Sequence, residues 1–394
     1  MMRFLLYIIA FLNFLSCSSQ EPQRIITGAE RTEQYFPQLQ GKQIAICANQ
    51  TSIIGKVYLL DSLLRAGIDD FQIMRVFSPE HGFRGDADDG MLINDSVDPE
   101  TGIQVVSLYG RNRKPSAEVM EGLDLVIFDI QDVGIRFYTY ISTLFYLMQT
   151  CAEQNIRLMV LDRPNPNGFY VDGPVLKEEH KSFIGLHPVP VVHGMTIGEY
   201  AQMINGEKWL GNGLVCDLTI ITCNNYDHTM KYDLPVSPSP NLATMNGIYL
   251  YPSIGLFEGT VISEGRGTDN PFEVFGHPEL QNAPFIFVPR SMPGKSTHPK
   301  QQGLTCYGFD LRGYSDGLDS MQLHLDLSWL LFAYNNITDQ KSFFTDYFDL
   351  LAGDSLLRKQ IIMGLSEEEI RESWEEEVDA FMEIRNKYLL YPDF

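Results

Sequence analysis

The residues of this sequence that could do chemistry are carboxylates with histidine, arginine and tyrosine neighbours, grouped at the ends of short apolar runs. They are Asn49, Glu80, His81, Asp129, Asp132, Arg136, Tyr138, Asp162, Arg163, Asn165 and His193, with Glu264 and Arg266 further along the chain. A protonated carboxyl group that donates to the leaving oxygen, together with a second carboxylate, is the usual machinery of glycoside hydrolysis. The combination of residue types therefore indicates a hydrolase that acts on a sugar.

Glu80 is the candidate general acid. It lies in a Pro-Glu-His-Gly turn, where partial burial is expected to raise its pKa. Asp129 and Asp132 are alternative candidates for the second carboxylate, and His81 is a candidate proton shuttle. Histidines are also frequent structural hydrogen-bonding residues, so both interpretations stay open for His81 and His193.

A second group of residues is suited to holding a sugar ring and an attached carboxylate. The tyrosines that could stack on a pyranose ring are Tyr109, Tyr138 and Tyr140, and the arginines that could clamp a carboxylate bidentately are Arg136, Arg163 and Arg266. Core packing is an equally good explanation for the tyrosines. Glu258 and Glu264 are rival candidates for catalysis, or loop residues that bind backbone amides.

The elements that must position these residues are predicted to be strands alternating with helices. Nearly continuous apolar runs predict strands at 44–48, 71–77, 104–108, 123–130, 156–161 and 189–192. Helical spacing between them, as in 142–154 and 196–205, indicates a parallel sheet covered on both faces, and so a Rossmann-like, doubly wound α/β domain. Ligands of such sheets bind outside the carboxyl ends of the strands, so the polar groups are expected to converge on one cleft.

The composition changes after this region. The segment DLPVSPSPN predicts a loop or a boundary, and Gly- and Pro-rich loops follow it. We therefore expect a Rossmann-like catalytic domain over 24–246 and a smaller C-terminal α+β domain over 247–394 that completes the cleft. Helical spacing in the second domain predicts a helix at 322–334 and another in an acidic segment, where Ser366 and Glu369 form a capping box.

The first residues have the pattern of a bacterial export signal. Arg3 precedes an apolar stretch at 4–15, which is too short to span a bilayer and ends in Leu-Ser-Cys. A small residue before Cys17 is typical of a lipobox, so residues 1–17 are predicted to be a lipoprotein signal with Cys17 lipidated. An ordinary cleaved signal is the alternative. The protein is expected to be exported to the periplasmic or outer-membrane face and to contact the membrane only through this anchor.

Charge and motifs exclude several classes of protein. The net charge of −22 and the pI near 4.7 exclude a nucleic-acid-binding protein, which needs a basic footprint. The sequence lacks a GxSxG elbow, a complete P-loop, a GxGxxG fingerprint and an HExxH motif. We therefore expect no nucleotide and no other cofactor. Five cysteines remain besides Cys17, without a CxxC pair, and they are predicted to be buried reduced thiols.

Five segments carry a resemblance to a known family. They are SPEHGFRG (78–85), FDIQDVGIRFYTY (128–140), LDRPNPNG (161–168), HGMTIGEYA (193–201) and YPSIGLFEGTVISEGRGTDNPFEVFG (251–276). In that order they resemble the exo-β-N-acetylmuramidase (NamZ-type) family, and the resemblance extends over nearly the whole mature chain.

The resemblance implies a substrate as well as an architecture. The substrate would be a peptidoglycan-derived glycan that loses β-linked N-acetylmuramic acid from its non-reducing end. The active site would lie between a Rossmann-like domain and a smaller C-terminal domain, with Glu80 as the catalytic glutamate and Asp129 or Asp132 as the second carboxylate. The lactyl group of muramic acid bears a carboxylate, which is a reason for arginines at the site.

Two other functions remain open at the level of the sequence. One is a metal-dependent hydrolase with Glu80, His81, Asp129, Asp132 and His193 as oxygen and nitrogen ligands. The other is a catalytically silent lipoprotein that binds muramyl sugars. Chelation would inactivate the first, and the second would bind without releasing product.

Overall fold

The computed structural model describes residues 24–66, 70–80, 82–84, 95–110 and 112–394. Two residues predicted to be functional, Cys17 and His81, lie outside these ranges. Within them, no helix has the length and apolar character needed to cross a bilayer. The cysteines predicted to be buried thiols are all buried and unbridged: Cys47, Cys151, Cys216, Cys223 and Cys306.

A seven-stranded, mostly parallel sheet forms the centre of the first half of the chain. In chain order, the strands of the molecule are β1 (Gln43–Ala48), β2 (Ile53–Ile54), β3 (Val57–Tyr58), β4 (Gln72–Ser78), β5 (Ser96–Val97), β6 (Gln104–Ser107), β7 (Leu125–Asp129), β8 (Arg157–Leu161), β9 (Leu218–Ile221), β10 (Val274–His277), β11 (Phe285–Phe287) and β12 (Cys306–Asp310). The large sheet has the order β5-β6-β4-β1-β7-β8-β9, and only the short edge strand β5 runs antiparallel to its neighbour. Numbered along the chain, the six parallel strands lie in the order 3-2-1-4-5-6 of doubly wound dinucleotide-binding folds. The predicted Rossmann-like α/β fold is confirmed.

Helices cover both faces of this sheet because its strands bury side chains on both faces. In β1, Ile44 and Ile46 belong to one apolar cluster, whereas Ala45 and Cys47 belong to the other. Successive side chains of a strand point to opposite faces, so a strand covered on both sides reads as a continuous apolar run. The helices of the molecule are α1 (Thr32–Leu39), α2 (Leu59–Ala66), α3 (Ala117–Met120), α4 (Tyr140–Gln154), α5 (Ile197–Gly206), α6 (Met245–Ile254), α7 (Ser328–Asn336), α8 (Tyr347–Ala352), α9 (Leu356–Met363), α10 (Glu367–Glu372) and α11 (Glu375–Arg385).

The second half of the chain combines a small antiparallel sheet with helices, as predicted for an α+β region. Strands β10, β12 and β11 lie side by side in that order, and both pairs are antiparallel. Helix α7 packs on this sheet through Phe332, whose ring meets Phe309 of β12 edge-on at a centroid distance of 4.9 Å. The helix α6 lies across the predicted boundary at residue 246, with Thr244 as its N-cap.

The prediction of a strand at 189–192 is wrong. Pro188 and Pro190 have no backbone N–H, so this segment cannot donate the regular bonds of a sheet ladder. Val192 instead forms an isolated bridge with Asp172, donating to its carbonyl at 2.9 Å. The segment is therefore a buried connection beside the sheet.

Two helix predictions need correction in their bounds. The helix predicted at 322–334 begins only at Ser328; Gln322 ends a short 3-10 helix, and residues 323–327 form irregular chain. The capping box of Ser366 and Glu369 is present, with the Ser366 N–H 2.8 Å from the Glu369 carboxylate. The acidic segment is nevertheless divided into α10 and α11 at Trp374, whose indole N–H donates to Asp172 at 3.3 Å. The helix is interrupted at Trp374 although the segment favours a continuous helix, because the Trp374 side chain is buried.

Candidate active site

A cleft of about 450 Å³ is lined by residues from both halves of the chain. The charged lining residues are Glu80, Arg113, Glu258 and Arg266, and the aromatic ones are Tyr109, Phe137, Tyr138, Tyr140, Phe183, Tyr251, Phe272 and Tyr347. Large pockets with a few convergent polar groups are the usual binding sites of small molecules. Aromatic rings combined with two carboxylates suit a sugar in particular.

Glu80 reaches the cleft from the turn that follows β4. The carbonyl of Ser78, the last residue of β4, accepts a hydrogen bond from the Leu108 N–H at 2.8 Å. The chain then leaves the sheet at its carboxyl edge through Pro79, which places a half-buried Glu80 in the cleft wall. Burial raises the pKa of Tyr140, and the negative charge of Glu80 raises it further, so these two side chains lie near each other.

The aromatic floor of the cleft interleaves rings from the two halves. Tyr138 meets Tyr140 edge-on with ring centroids 4.9 Å apart, and it meets Tyr251 at 6.0 Å. Tyr251 in turn lies 5.3 Å from Phe137 and 4.9 Å from Phe272. These edge-on contacts are favourable ring geometries. Packing therefore fixes the orientation of rings that also line the cleft, so the two explanations of the tyrosines are compatible.

Asn49 lies directly behind this floor. Its side-chain amide donates to the Tyr140 hydroxyl at 2.9 Å, and its carbonyl oxygen accepts from the Thr51 N–H and hydroxyl at 2.9 and 2.6 Å. The Tyr140 hydroxyl donates onward to the Pro238 carbonyl at 3.2 Å. Asn49 is fully buried and is not among the residues that line the cleft, so its contacts position Tyr140.

The second half contributes a cluster of alternating charges. Arg266 lies 3.0 Å from Glu258 and 3.4 Å from Glu264, and Lys300 lies 2.9 Å from Glu264. The guanidinium group of Arg266 also lies 5.1 Å from the Phe272 ring centroid. Glu258 and Arg266 line the cleft, whereas Glu264 is 2 % exposed and holds the two cations from behind.

Asp129, predicted as a second carboxylate, is engaged in a buried ion pair with Arg163. The two guanidinium contacts to the carboxylate are 2.6 and 2.9 Å long, a bidentate arrangement. Burial raises the pKa of Asp129, and the charge of Arg163 opposes this. Neither residue is among those that line the cleft. Each is occupied by the other, so the pair is held inside the protein and does not face the cleft.

Asp132, the other predicted second carboxylate, is buried just behind the cleft. One carboxylate oxygen accepts from the Gly134 N–H at 2.7 Å, and the other has no hydrogen-bond partner among the described residues. Burial raises its pKa to about 7. Gly134 has a φ of +78°, and a Cβ there would lie 2.3 Å from the Asn165 amide, so only glycine fits. Asp132 does not line the cleft, whereas Tyr138 does. Burial raises the pKa of Tyr138, and the negative charge of Asp132 raises it further.

Asp162 organises the start of α5. Its carboxylate accepts hydrogen bonds from the Thr196 hydroxyl at 2.7 Å, the Gly198 N–H at 2.8 Å and the Tyr391 hydroxyl at 2.6 Å. Burial raises the pKa of Asp162 to about 6. Its oxygens are used by the protein, and the residue does not line the cleft.

Asn165 and His193 serve the neighbouring loops. The Asn165 amide donates to the Met195 carbonyl at 2.9 Å, and the His193 Nδ1 accepts from the Met195 N–H at 3.3 Å. Burial lowers the pKa of His193 to about 3, so the imidazole is neutral at physiological pH. Neither residue lines the cleft, so the structural interpretation of His193 is the one that its contacts favour.

Arg136, predicted as a carboxylate clamp, ties the two halves of the chain together. It is fully buried and donates to the carbonyls of Pro174 and Val189 at 2.7 and 2.8 Å and to that of Leu351 in α8 at 2.8 Å. Burial lowers its pKa to about 10. Its donors therefore serve the fold, and the cleft does not use them.

The structure thus divides the predicted site into two layers. The predicted residues that line the cleft are Glu80, Tyr109, Tyr138, Tyr140, Glu258 and Arg266, and the other predicted residues that the structure describes do not line it. The lining residues that the sequence motifs did not single out include Arg113 and Phe183. Both lie in irregular chain outside the predicted strand ends, so no local pattern marks them.

Metal ligation has no geometric support in the part of the chain that the structure describes. No three His, Cys, Asp or Glu side chains there are arranged to hold an ion. Of the proposed ligands, Asp129 is paired with Arg163, and His193 is directed to a backbone N–H.

Comparisons with known proteins match both halves of the chain. The N-terminal family model of exo-beta-N-acetylmuramidase NamZ matches residues 44–246, and the C-terminal one matches residues 249–391. The chain is 38% identical over 380 residues to the peptidoglycan beta-N-acetylmuramidase NamZ of Bacillus subtilis strain 168, covering 91% of this chain and 89% of that protein.

Two solved structures from Bacteroides fragilis NCTC 9343, both of DUF1343 family proteins, share the fold. One is 45% identical with a TM-score of 0.86, covering 94% of this chain and 100% of the other. The second is 28% identical with a TM-score of 0.81, covering 93% of this chain and 99% of the other. The sequence motifs, the cleft and these matches over both halves lead to one conclusion: the chain belongs to the exo-β-N-acetylmuramidase NamZ family.

Proposed function

We propose that this protein is an exo-acting glycoside hydrolase that releases β-linked N-acetylmuramic acid from the non-reducing ends of peptidoglycan fragments. The observation that carries the proposal is the pair of glutamates, Glu80 and Glu258, that line one cleft together with aromatic rings. Membership of the NamZ family and the named activity of the Bacillus subtilis relative support the choice of sugar.

Glu80 takes the role of general acid in this proposal. It is half-buried in a wall that also carries Tyr140, and its carboxyl group would protonate the leaving oxygen as the glycosidic bond breaks. Glu258 takes the second carboxylate role, since Asp129 is occupied by Arg163 and Asp132 lies behind the lining. The contact of 3.0 Å between Glu258 and Arg266 holds that carboxylate in the cleft.

Isosteric amides test both assignments. Glu80→Gln and Glu258→Gln are each expected to lower kcat by about 10²- to 10⁴-fold, the usual contribution of a positioned acid or base. The substrate is a chromogenic β-N-acetylmuramic acid glycoside, assayed beside its N-acetylglucosamine counterpart and with or without EDTA. The control is Glu279→Gln, which changes an exposed glutamate outside the cleft and should keep wild-type kinetics.

The outcomes separate the alternatives. A folded Glu80→Gln variant with full activity would exclude Glu80 as the acid. Loss of wild-type activity in EDTA, restored by a divalent cation, would favour a metal-dependent hydrolase. Saturable binding of the muramic glycoside by the wild type without release of the chromophore would favour a binding protein.

We further propose that the protein is an exported lipoprotein acylated at Cys17. The support is the charged start, the short apolar stretch and the small residue before this cysteine in the sequence. In bacteria fed an alkyne-tagged fatty acid, the full chain should be labelled and recovered with membranes, whereas Cys17→Ser should be unlabelled. An unlabelled full chain found in the periplasmic fraction would indicate an ordinary cleaved signal instead.

A further inference from the structure

Arg113 is a cation of the cleft wall that the sequence motifs did not single out. Its guanidinium carbon lies 4.0 Å from the centroid of the Phe183 ring, and both residues line the cleft. Phe183 is itself stacked on Tyr146 of α4, with centroids 6.3 Å apart and an interplanar angle of 16°. A guanidinium group over a ring keeps the donors at its edge available for hydrogen bonds.

Both partners of this stack are anchored on α4. The Ser142 hydroxyl donates to the Phe183 carbonyl at 2.7 Å. On the other side, the Thr150 hydroxyl donates to the Pro115 carbonyl at 3.2 Å, two residues after Arg113. The backbone beside both partners of the stack is thus held by the same helix, which reduces the conformational entropy lost when Arg113 binds an anion.

Arg113 differs from the other arginines discussed above in its binding partners. Arg266 already contacts two glutamates, and Arg136 and Arg163 are buried with partners inside the protein. Among the described residues, no carboxylate lies within ion-pair distance of Arg113, whose contact is the Phe183 ring. Arg113 is therefore the cleft arginine whose donors a ligand could use.

We propose that Arg113, supported by Phe183, binds a carboxylate of the substrate and so sets the preference for muramic acid over other N-acetylhexosamines. This inference rests on the proposed function. Muramic acid carries a carboxylate on its lactyl group, and a stem peptide attached there replaces it with carboxylates further from the sugar ring. A planar guanidinium group can accept either carboxylate bidentately.

The experiment measures KM and kcat for Arg113→Gln with three chromogenic glycosides. They are the free β-N-acetylmuramic acid glycoside, its lactyl methyl ester, and a form whose lactyl group carries a short stem peptide. For the free acid, we expect Arg113→Gln to raise KM about tenfold and to leave kcat nearly unchanged, because one charge-assisted contact is lost. For the methyl ester, which has no lactyl carboxylate, we expect KM to stay at the wild-type value. Arg113→Lys should recover part of the affinity, since it keeps the charge without the planar fork.

The matched control is Arg312→Gln. Arg312 is an exposed arginine whose guanidinium carbon lies 6.0 Å from the Phe285 ring centroid, and it does not line the cleft. Arg312→Gln should leave KM and kcat unchanged for all three substrates. Melting temperatures should show that this variant and Arg113→Gln are both folded.

The substrates also identify the source of the carboxylate. A rise in KM for the free acid assigns Arg113 to the lactyl group, and a rise for the peptide form alone assigns it to the stem. Wild-type KM values on all three, or an equal rise on all three, would overturn the inference while leaving the proposed function intact. If the wild-type protein hydrolysed none of the three, the proposed function would fail, and this inference with it.

Discussion

At the scale of single residues, several buried polar side chains lie behind the residues that line the cleft. Asp132 is the clearest case, because one of its oxygens has a backbone donor and the other has no partner among the described residues. A buried carboxyl group without compensating charge is more stable protonated. We therefore expect the carboxyl group of Asp132 to make the stability of the fold depend on pH.

Replacing Asp132 by Asn should remove that pH dependence. The folded-state pKa of Asp132 is about 7, above its ordinary value of 3.8, so the native state holds a proton that the unfolded state releases. The stabilising contribution is complete below pH 3.8 and is lost as the pH rises through about 7. The free energy of unfolding of the wild type minus that of Asp132→Asn should therefore fall by about 1–3 kcal/mol between pH 5 and pH 8.

Urea denaturation at the two pH values provides the measurement. Taking the difference between two proteins removes the opposite contributions of buried histidines such as His193, whose lowered pKa destabilises the fold at acidic pH. Asp379→Asn, at an exposed position, is the control and should give a difference that does not change with pH. A constant difference for Asp132→Asn as well would show that its carboxyl group titrates normally.

At the scale of elements, helix caps connect the sheet to the loops around the cleft. The Thr196 hydroxyl accepts from the Glu199 N–H at 3.3 Å and donates to the Asp162 carboxylate, while Glu199 accepts from the Thr196 N–H at 2.8 Å. The first turn of helix α5 therefore lies beside the carboxyl end of strand β8 in space, and the hydrogen bonds of the cap hold the helix and the strand together. The same box at α10, formed by Ser366, is exposed.

This difference in burial predicts unequal costs for equivalent changes. Thr196→Ala should lower the free energy of unfolding by about 2 kcal/mol or more, since it removes the cap and leaves the Asp162 carboxylate with one donor fewer. Ser366→Ala should cost about 0.5–1 kcal/mol, because water can replace the exposed cap. The midpoints of urea denaturation provide the comparison, and equal losses would contradict it.

At the scale of the whole molecule, the two halves are joined at two places. Arg136 connects the loops after β7 and β8 to α8, and the C-terminal segment returns to the edge of the large sheet. In that segment the Tyr391 hydroxyl accepts from the Cys223 N–H at 2.8 Å, and Asp393 pairs with the buried Arg385 at 2.6 Å. A cleft between halves connected in this way should not open by separating them.

Removing residues 388–394 tests this connection. The shortened chain loses the Tyr391 donor to Asp162 and the Asp393 partner of Arg385, so Asp162 keeps fewer donors and the buried Arg385 loses its charge partner. We expect a loss of at least about 3 kcal/mol in the free energy of unfolding. Calorimetry should show one unfolding transition for the wild type and a lower melting temperature for the shortened chain. Tyr391→Phe, which removes only the hydroxyl group, should have a smaller effect. A shortened chain that melts like the wild type would show that the halves are not coupled through this segment.

The sequence by itself determined the features that depend on near neighbours along the chain. The structure contains five of the six predicted strands, the predicted capping box at Ser366, and Glu80 in a turn beyond β4. Strand faces repeat every two residues and helix caps span three, so these patterns can be read locally.

Only the tertiary structure decided which strand-end residues face the cleft. Glu80 and Asp129 follow the same pattern, yet one lines the cleft and the other is occupied by Arg163. The direction of a side chain beyond a strand depends on partners far away in sequence, such as the Leu351 carbonyl, which lies 215 residues from Arg136. Arg113 and Glu258 enter the cleft for the same reason, since their positions are set by packing between segments and not by spacing within one.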